Sequence, residues 1–199
     1  MSLSDTGPRG DEPIAGSAFD ALLTAAAGGD EQAFAVLWRR LQPGLMRYLQ
    51  ALAPETAEDL ASETWLRVVA GLRRFRGDER AFRAWLFTVA RHRVIDGWRA
   101  GNRRPVAGLP VEALAEWRAP DDVAGQVVES LSARQAVTLL AGLPQAQAEV
   151  VLLRVVAGLE VDEVARIVGK RPGTVRVLAH RGLRRLAEWL AAEDGVRAG

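Results

Sequence analysis

The stretch from Val161 to Leu178 constrains this chain more than any other, because three residue types recur there at the spacing a helix-turn-helix requires. Two helices that cross at close range need a small residue on the first, and Ala165 supplies it. The sharp turn between them favours a residue free to adopt positive φ, which glycine does without steric cost. Gly169 stands at that turn. A β-branched side chain should then plug the gap between the helices, and Val175 is in place, with Val164, Val168 and Leu178 as the remaining apolar positions.

Charge agrees with this reading. Arg166, Lys170, Arg171, Arg176, Arg181, Arg184 and Arg185 fall in a stretch without a single acidic residue. The second helix should present Arg176, His180, Arg181 and Arg184 on its open arc, where they can approach phosphates and reach base edges in a major groove. Thr174 lies at the start of that helix, where a hydroxyl and free backbone N–H groups suit a phosphate. A basic amphipathic helix by itself is more often a solvated face. Joined to the complete turn spacing, it points to DNA. For His180 a plain surface histidine is an equally good reading.

The rest of the chain reads as helix throughout, since its β-branched residues sit in helical spacing rather than in alternation. Residues 1–16 form a Gly-, Pro- and Asp-rich tail. A first helix carries Phe19, Leu22 and Leu23, broken at Gly28-Gly29. Asp30 should cap a second helix with Phe34, Leu37 and Leu41 on one face, which Pro43-Gly44 interrupts before Leu45, Tyr48, Leu49 and Leu52 resume it. Beyond Pro54, a third helix has Glu55, Glu58 and Asp59 in its first turn, suited to the positive end of the helix dipole, and an apolar side formed by Leu60, Thr64, Leu66 and Val68 to Leu72. A loop through Arg76 and Arg80 leads to a fourth helix with Phe82, Trp85, Leu86, Val89 and Ala90.

From Gly101 the periodicity dissolves among Pro105, Pro110, Pro120 and several acidic residues, so residues 101–126 are expected to be a linker. Helical spacing returns at Val127, and Pro144 is expected at the first position of a helix ending at Gly158. A short helix over 161–168 and a long one from Pro172 to Glu193 complete the chain. The expected organisation is all-α: a tail over 1–16, a domain over 17–100, a flexible linker over 101–126, a second domain over 127–193 and a short tail over 194–199.

Composition excludes more than it suggests. The formal net charge is only +1, so the local distribution of charge has to carry any argument about nucleic acid. With no cysteine and only His92 and His180 as histidines, thiolate chemistry is ruled out and a histidine-built metal centre is not expected. No nucleophile–base pair or phosphate-binding glycine loop stands out, so neither an enzyme nor a cofactor is expected. The N-terminus lacks a signal-peptide pattern and no apolar run is long enough to span a bilayer, so a cytoplasmic protein without membrane insertion is expected.

Glu79 to Arg104 interleaves basic and aromatic residues, which suits single-stranded or distorted DNA. Core packing is the better reading of Phe82, Trp85, Leu86 and Val89, and the arginines are the better functional candidates. Asp96, near the core-facing side, is expected to pair with Arg93 three residues away.

Three passages together resemble the extracytoplasmic-function group of bacterial sigma factors, within the sigma-70 family. They are Ala57-Glu58-Asp59-Leu60-Ala61-Ser62-Glu63-Thr64-Trp65-Leu66-Arg67; Phe82-Arg83-Ala84-Trp85-Leu86 through Asp96 and Arg99; and Leu143-Pro144 followed by Gly173-Thr174-Val175-Arg176 and Arg181. The resemblance covers about residues 19–100 and 127–190. It implies a region 2-like bundle and a region 4-like helix-turn-helix that direct core RNA polymerase to promoters. Asp59, Ser62, Glu63 and Leu66 would bind core polymerase. Arg76, Gly77, Asp78, Glu79 and Arg80 would capture a flipped base of the −10 element, with Arg91, His92 and Arg99 on the nearby backbone. Arg171, Thr174, Arg176, Val177, His180, Arg181 and Arg184 would read the −35 element. The implied partners are bacterial core RNA polymerase, promoter DNA and an anti-sigma factor.

The chain departs from the family pattern at Ser62, where glutamine is usual, at His92, where asparagine is common, and at Val177, where a polar residue is frequent. The first touches a polymerase contact, and the others touch the choice of promoter sequence. The competing reading is a conventional helix-turn-helix regulator that binds a palindromic site without polymerase. A polymerase-binding adaptor without promoter reading is a third.

Overall fold

The computed structural model describes residues 16–100, 140 and 142–197. Seven α-helices occupy the described residues, and no strand is found among them. The expected N-terminal tail, the linker over 101–126 and the helical stretch beginning at Val127 fall largely or wholly outside the described residues.

Helix α1 (Gly16–Gly28) starts at the last residue of the expected tail and buries Phe19, Leu23 and Ala26. It stops where Gly29 takes φ +101°, a backbone that a side chain would strain. Helix α2 (Glu31–Leu52) follows at once. Asp30 caps it as expected, its carboxylate accepting from the amides of Gln32 (2.8 Å) and Ala33 (3.0 Å). Pro43-Gly44 does not interrupt this helix, contrary to expectation: α2 runs unbroken with Pro43 inside it. Leu37, Leu41, Leu45, Tyr48 and Leu49 are all buried along one face that keeps its phase across the proline. Burial of that continuous face outweighs the missing N–H and the ring clash.

A single 3₁₀ turn, Pro54–Thr56, leads into α3 (Ala57–Leu72). Its buried line is Leu60, Ala61, Thr64, Trp65, Val68 and Leu72. Leu66, expected on the apolar side, is instead 71% exposed, because it lies off the four-residue spacing of Leu60, Thr64, Val68 and Leu72. Trp65 is buried with its indole N–H donating to Gln42 Oε1 at 2.7 Å, and its ring meets Phe34 edge-on. Helix α4 (Glu79–Ala100) buries Phe82, Leu86, Phe87, Ala90 and Val94. Phe75 stacks on Trp85 at 5.1 Å and meets Phe82 edge-on at 5.3 Å, which ties the α3–α4 loop to the core. Gly71 allows this approach, since a Cβ there would lie 2.8 Å from the Trp85 ring.

The C-terminal part begins for description at Leu140. Pro144 is not the first helical residue but the cap before it, in extended backbone, with its carbonyl accepting from Gln147 (2.8 Å) and Ala148 (3.1 Å). Helix α5 (Gln145–Val151) continues into a π-helical turn, Leu152–Val156, so the single helix expected up to Gly158 is divided. Helix α6 (Val161–Val168) opens on a reciprocal capping box between Glu160 and Glu163. Helix α7 (Pro172–Arg197) extends four residues past the expected Glu193, into the stretch read as a tail. The N-terminal helices also pack on the C-terminal ones: α4 meets α6, and α2 meets α5 and the π turn.

Candidate nucleic-acid interface

The geometry of a helix-turn-helix is complete. Ala165 is buried under the crossing, Val175 is fully buried between the helices, and Val164, Val168 and Leu178 close the core. Gly169 sits at φ +68°, ψ 35°, the left-handed turn its position demands. The Lys170 amide donates to the Ala165 carbonyl and the Val175 amide to the Arg171 carbonyl, so both sides of the turn are fastened by backbone. The sequence signal missed Gly182. A Cβ there would stand 2.7 Å from Val151 Cγ2, so α7 lies against α5 at a distance only glycine allows.

On the outer arc, Arg171, Arg176 and Arg184 are exposed, while Thr174, Val177, His180 and Arg181 are half-buried. Arg184 reaches Glu188 at 2.8 Å, one turn on, an exposed pair that a phosphate can displace at little cost. Burial, then the nearby Arg184 and Arg181, hold the His180 imidazole below its ordinary range, which favours the neutral ring.

The residues expected at the α3–α4 loop and on α4 follow one another along these two elements, and several have structural partners. Arg76 folds back to donate to the carbonyls of Arg73 (3.0 Å) and Phe75 (2.7 Å). Gly77 holds φ +154°, and a Cβ there would crowd Ala81 and Phe75. Asp78 accepts from the Ala81 amide at 2.8 Å, capping α4. Glu79 binds both Arg83 (2.8 Å) and Arg40 (3.0 Å). Arg80 and Arg91 reach across to Glu163 and Glu149 of the C-terminal helices, at 2.8 Å and 2.7 Å. His92 and Arg99 are exposed on α4. Arg93 pairs with Asp96 at 2.9 Å as expected, although Asp96 is exposed rather than core-facing.

Asp59, Ser62, Glu63 and Leu66 are exposed together on α3. The Ser62 hydroxyl donates back to the Glu58 carbonyl at 3.0 Å. Val69, half exposed one turn beyond Leu66, extends the strip and was not among the expected residues. Leu66 and Val69 thus stand in water beside the carboxylates of Asp59 and Glu63.

Residues 37–104 match the family Sigma-70 region 2, and residues 133–186 match Sigma-70, region 4. Among relatives, the chain is 35% identical to the ECF RNA polymerase sigma factor SigD of Mycobacterium tuberculosis over 184 residues, covering 89% of this chain and 86% of that protein. It is 37% identical to the ECF RNA polymerase sigma factor ShbA of Streptomyces griseus, covering 83% and 92% of the two chains. Among solved structures it is similar to the sigma factor RpoE in complex with the anti-sigma factor NepR from Bartonella quintana, with 25% identity, a TM-score of 0.58 and coverage of 79% and 96%. It shares the fold of CnrH in complex with the cytosolic domain of CnrY, at 24% identity, a TM-score of 0.57 and coverage of 86% and 96%. The fold and the helix-turn-helix thus define a sigma-70-type factor with regions 2 and 4. Within that class the chain belongs to the ECF RNA polymerase sigma factors.

Proposed function

We propose that residues 17–100 bind core RNA polymerase and the −10 element, that residues 127–193 read the −35 element, and that residues 101–126 tether the two. The observation that carries this is the presence on one chain of two unlike surfaces: the acidic and apolar strip of Asp59, Ser62, Glu63 and Leu66 on α3, and the basic arc of Arg171, Thr174, Arg176, Val177, His180, Arg181 and Arg184 at α7. The strip suits a protein partner and the arc suits DNA. Two weak DNA contacts on one tether gain from effective concentration, so each module alone binds poorly.

On the −10 side, Arg80, Arg91, His92 and Arg99 supply charge, while Asp78, Glu79 and Gly77 shape the loop and Arg76 is freed from its carbonyl contacts when DNA arrives. The protein brings specificity, not catalysis. It acts in the cytoplasm, where the polymerase is; no helix among the described residues is long and apolar enough to cross a membrane. The similarity to a sigma factor solved with its anti-sigma factor supports a partner of that kind here.

The test is transcription by purified core polymerase on a genomic promoter library with the full chain. New starts sharing −35 and −10 sequences are expected. Arg176→Ala and Arg181→Ala should abolish −35-dependent starts while leaving polymerase binding intact. Reversing Asp59 and Glu63 to lysine should weaken polymerase binding without loss of helicity. Absence of starts from a protein that binds a palindromic duplex unaided would identify a conventional regulator instead.

A further inference from the structure

Along the reading part of α7, the core accounts for every apolar side chain but one. From Val175 to Leu186, Val175, Leu178 and Leu186 are buried, and Ala179 and Leu183 pack against that core. Val177 is the exception. A helix turns by about 100° per residue, so the line of Val175, Leu178, Gly182 and Leu186 fixes the inward direction and Val177 falls on the far side. Its neighbours there, one turn away in either direction, are Gly173, Thr174, His180 and Arg181, and Arg184 lies two turns on. A valine alone on a surface needs no explanation. This one is half-buried at the centre of the polar and basic arc of a helix-turn-helix.

The chemistry of the arc differs sharply at this position. Arg176, Arg181 and Arg184 can bind phosphate oxygens or the acceptors of guanine, and Thr174 and His180 can also hydrogen-bond. Val177 can do neither. Set against N7, O6 or an exocyclic amino group, it would strip water from a polar edge and return no hydrogen bond, which is costly. Among the four bases, only thymine presents an apolar group in the major groove, its C5 methyl. A valine in a helix is held almost entirely in one χ1 rotamer, so its two methyls are set before DNA arrives. The approach is also clear: a Cβ at Gly173, one turn before Val177, would meet nothing within 4 Å.

We propose that Val177 reads the C5 methyl of one thymine in the −35 element, selecting an A·T pair by apolar contact while the arginines around it hold the helix on phosphates and guanines. The proposal rests on the assignment of α7 to the −35 element and deepens it. One side chain then discriminates in two ways. It gains from removing a methyl from water, and it penalises any base that brings a polar edge to the same place. Burial of one methyl-sized group corresponds to about a fourfold gain in affinity. An arginine or an amide at this position would select for hydrogen-bonding edges instead, so the valine sets which base this chain prefers there.

The test uses the full chain bound to core polymerase, on promoters recovered from the genomic library and with the −10 element held constant. Scrambling the −35 element reports whether the complex depends on it. Each thymine of that element, on either strand, is then replaced in turn by deoxyuridine, which removes the methyl and keeps the base pair. One position is expected at which deoxyuridine weakens promoter binding about fourfold. In Val177→Ala, at unchanged helicity and unchanged binding to core polymerase, thymine and deoxyuridine should bind alike at that position, the coupling expected of two groups in contact. Val177→Thr keeps the shape and one methyl but adds a hydroxyl, and should retain part of the methyl effect while accepting other bases more readily. A −35 element without an A·T pair, or one in which no thymine responds to loss of its methyl, overturns the proposal. So does a methyl effect that survives Val177→Ala, which would belong to DNA shape instead. Indifference to scrambling would remove the −35 assignment itself, whereas dependence on the element without a methyl effect would leave the assignment standing and refute the role of Val177 alone.

Discussion

Gly182 shows how much a single hydrogen can decide. Its would-be Cβ meets Val151 Cγ2 at 2.7 Å and the Gln147 side chain at 3.5 Å. Gly182→Ala should therefore destabilise the protein by about 1–3 kcal/mol, the usual cost of overpacking, visible as a lower Tm and a lower denaturant midpoint. Val151→Ala should recover part of that loss, so the double variant must be more stable than the two single losses predict by addition. Strict additivity would mean the two residues do not press on one another. Gly169 was legible from sequence because its turn lies within the motif. Gly182 was not, because what it avoids comes from another helix and leaves no local pattern. His180 gives a second residue-scale test. Burial and its two arginine neighbours lower its pKa, so by nuclear magnetic resonance it should titrate below the ordinary histidine value. The sign for stability follows: a depressed folded pKa favours the neutral ring, so its contribution is present above the unfolded pKa and fades as pH falls through that value towards the folded one. A phosphate nearby should raise the pKa again, and an imidazole whose titration is unmoved by DNA would not belong to the reading face.

At the scale of elements, helical periodicity revealed the helices and misjudged where some of them bend. Leu37, Leu41, Leu45, Tyr48 and Leu49 carry one phase through Pro43, and the helix follows that phase. The proline looked like a break because its local cost is real, while the compensating burial lies in α3, α4 and the C-terminal half. Pro43→Ala should accordingly raise stability by up to about 3 kcal/mol, since it restores an N–H and removes a clash at an exposed position. An unchanged or lower Tm would show that α2 needs the proline, for instance to hold Gly44 against Val156. The opposite kind of misreading occurs on α3. Leu66 counts as apolar in any tally, yet the face that turns inward is Leu60, Ala61, Thr64, Trp65, Val68 and Leu72. The buried Thr64 satisfies itself by donating to the Leu60 carbonyl at 2.6 Å, which is how a hydroxyl can occupy a core position. The division into α5 and a π turn had no sequence signal at all. Arg154, donating to the Leu159 carbonyl at 2.6 Å, fastens the loop that follows it.

For the whole molecule, the near-neutral total hides a partition that sequence order alone could only half show. The basic arc of α7 was legible because its residues are neighbours in sequence. The seam between the two halves was not, because its partners are separated by 58 and 83 residues and nothing local couples Arg91 to Glu149 or Arg80 to Glu163. The chain nevertheless contains its own reporter for that seam. Tyr48 is the only tyrosine, Lys170 is the only lysine, and there is no cysteine. Burial, reinforced by Glu149 and opposed by Arg91, raises the Tyr48 phenol well above its ordinary pKa. The unfolded chain, or an open one, ionises this tyrosine near the ordinary value, while the closed chain resists. Stability from this group is therefore intact below the unfolded pKa and declines as pH rises from there towards the folded pKa, by about 1.4 kcal/mol per pH unit. Tyrosinate absorbance should consequently appear late and cooperatively in the intact protein, together with loss of the closed state. Glu149→Gln combined with Glu163→Gln should bring it earlier and make it gradual while helicity persists. Tyr48→Phe should remove the signal and move the alkaline unfolding midpoint upward. Early, non-cooperative ionisation in the unaltered chain would mean that water reaches Tyr48 freely and that the two halves do not hold each other closed in solution.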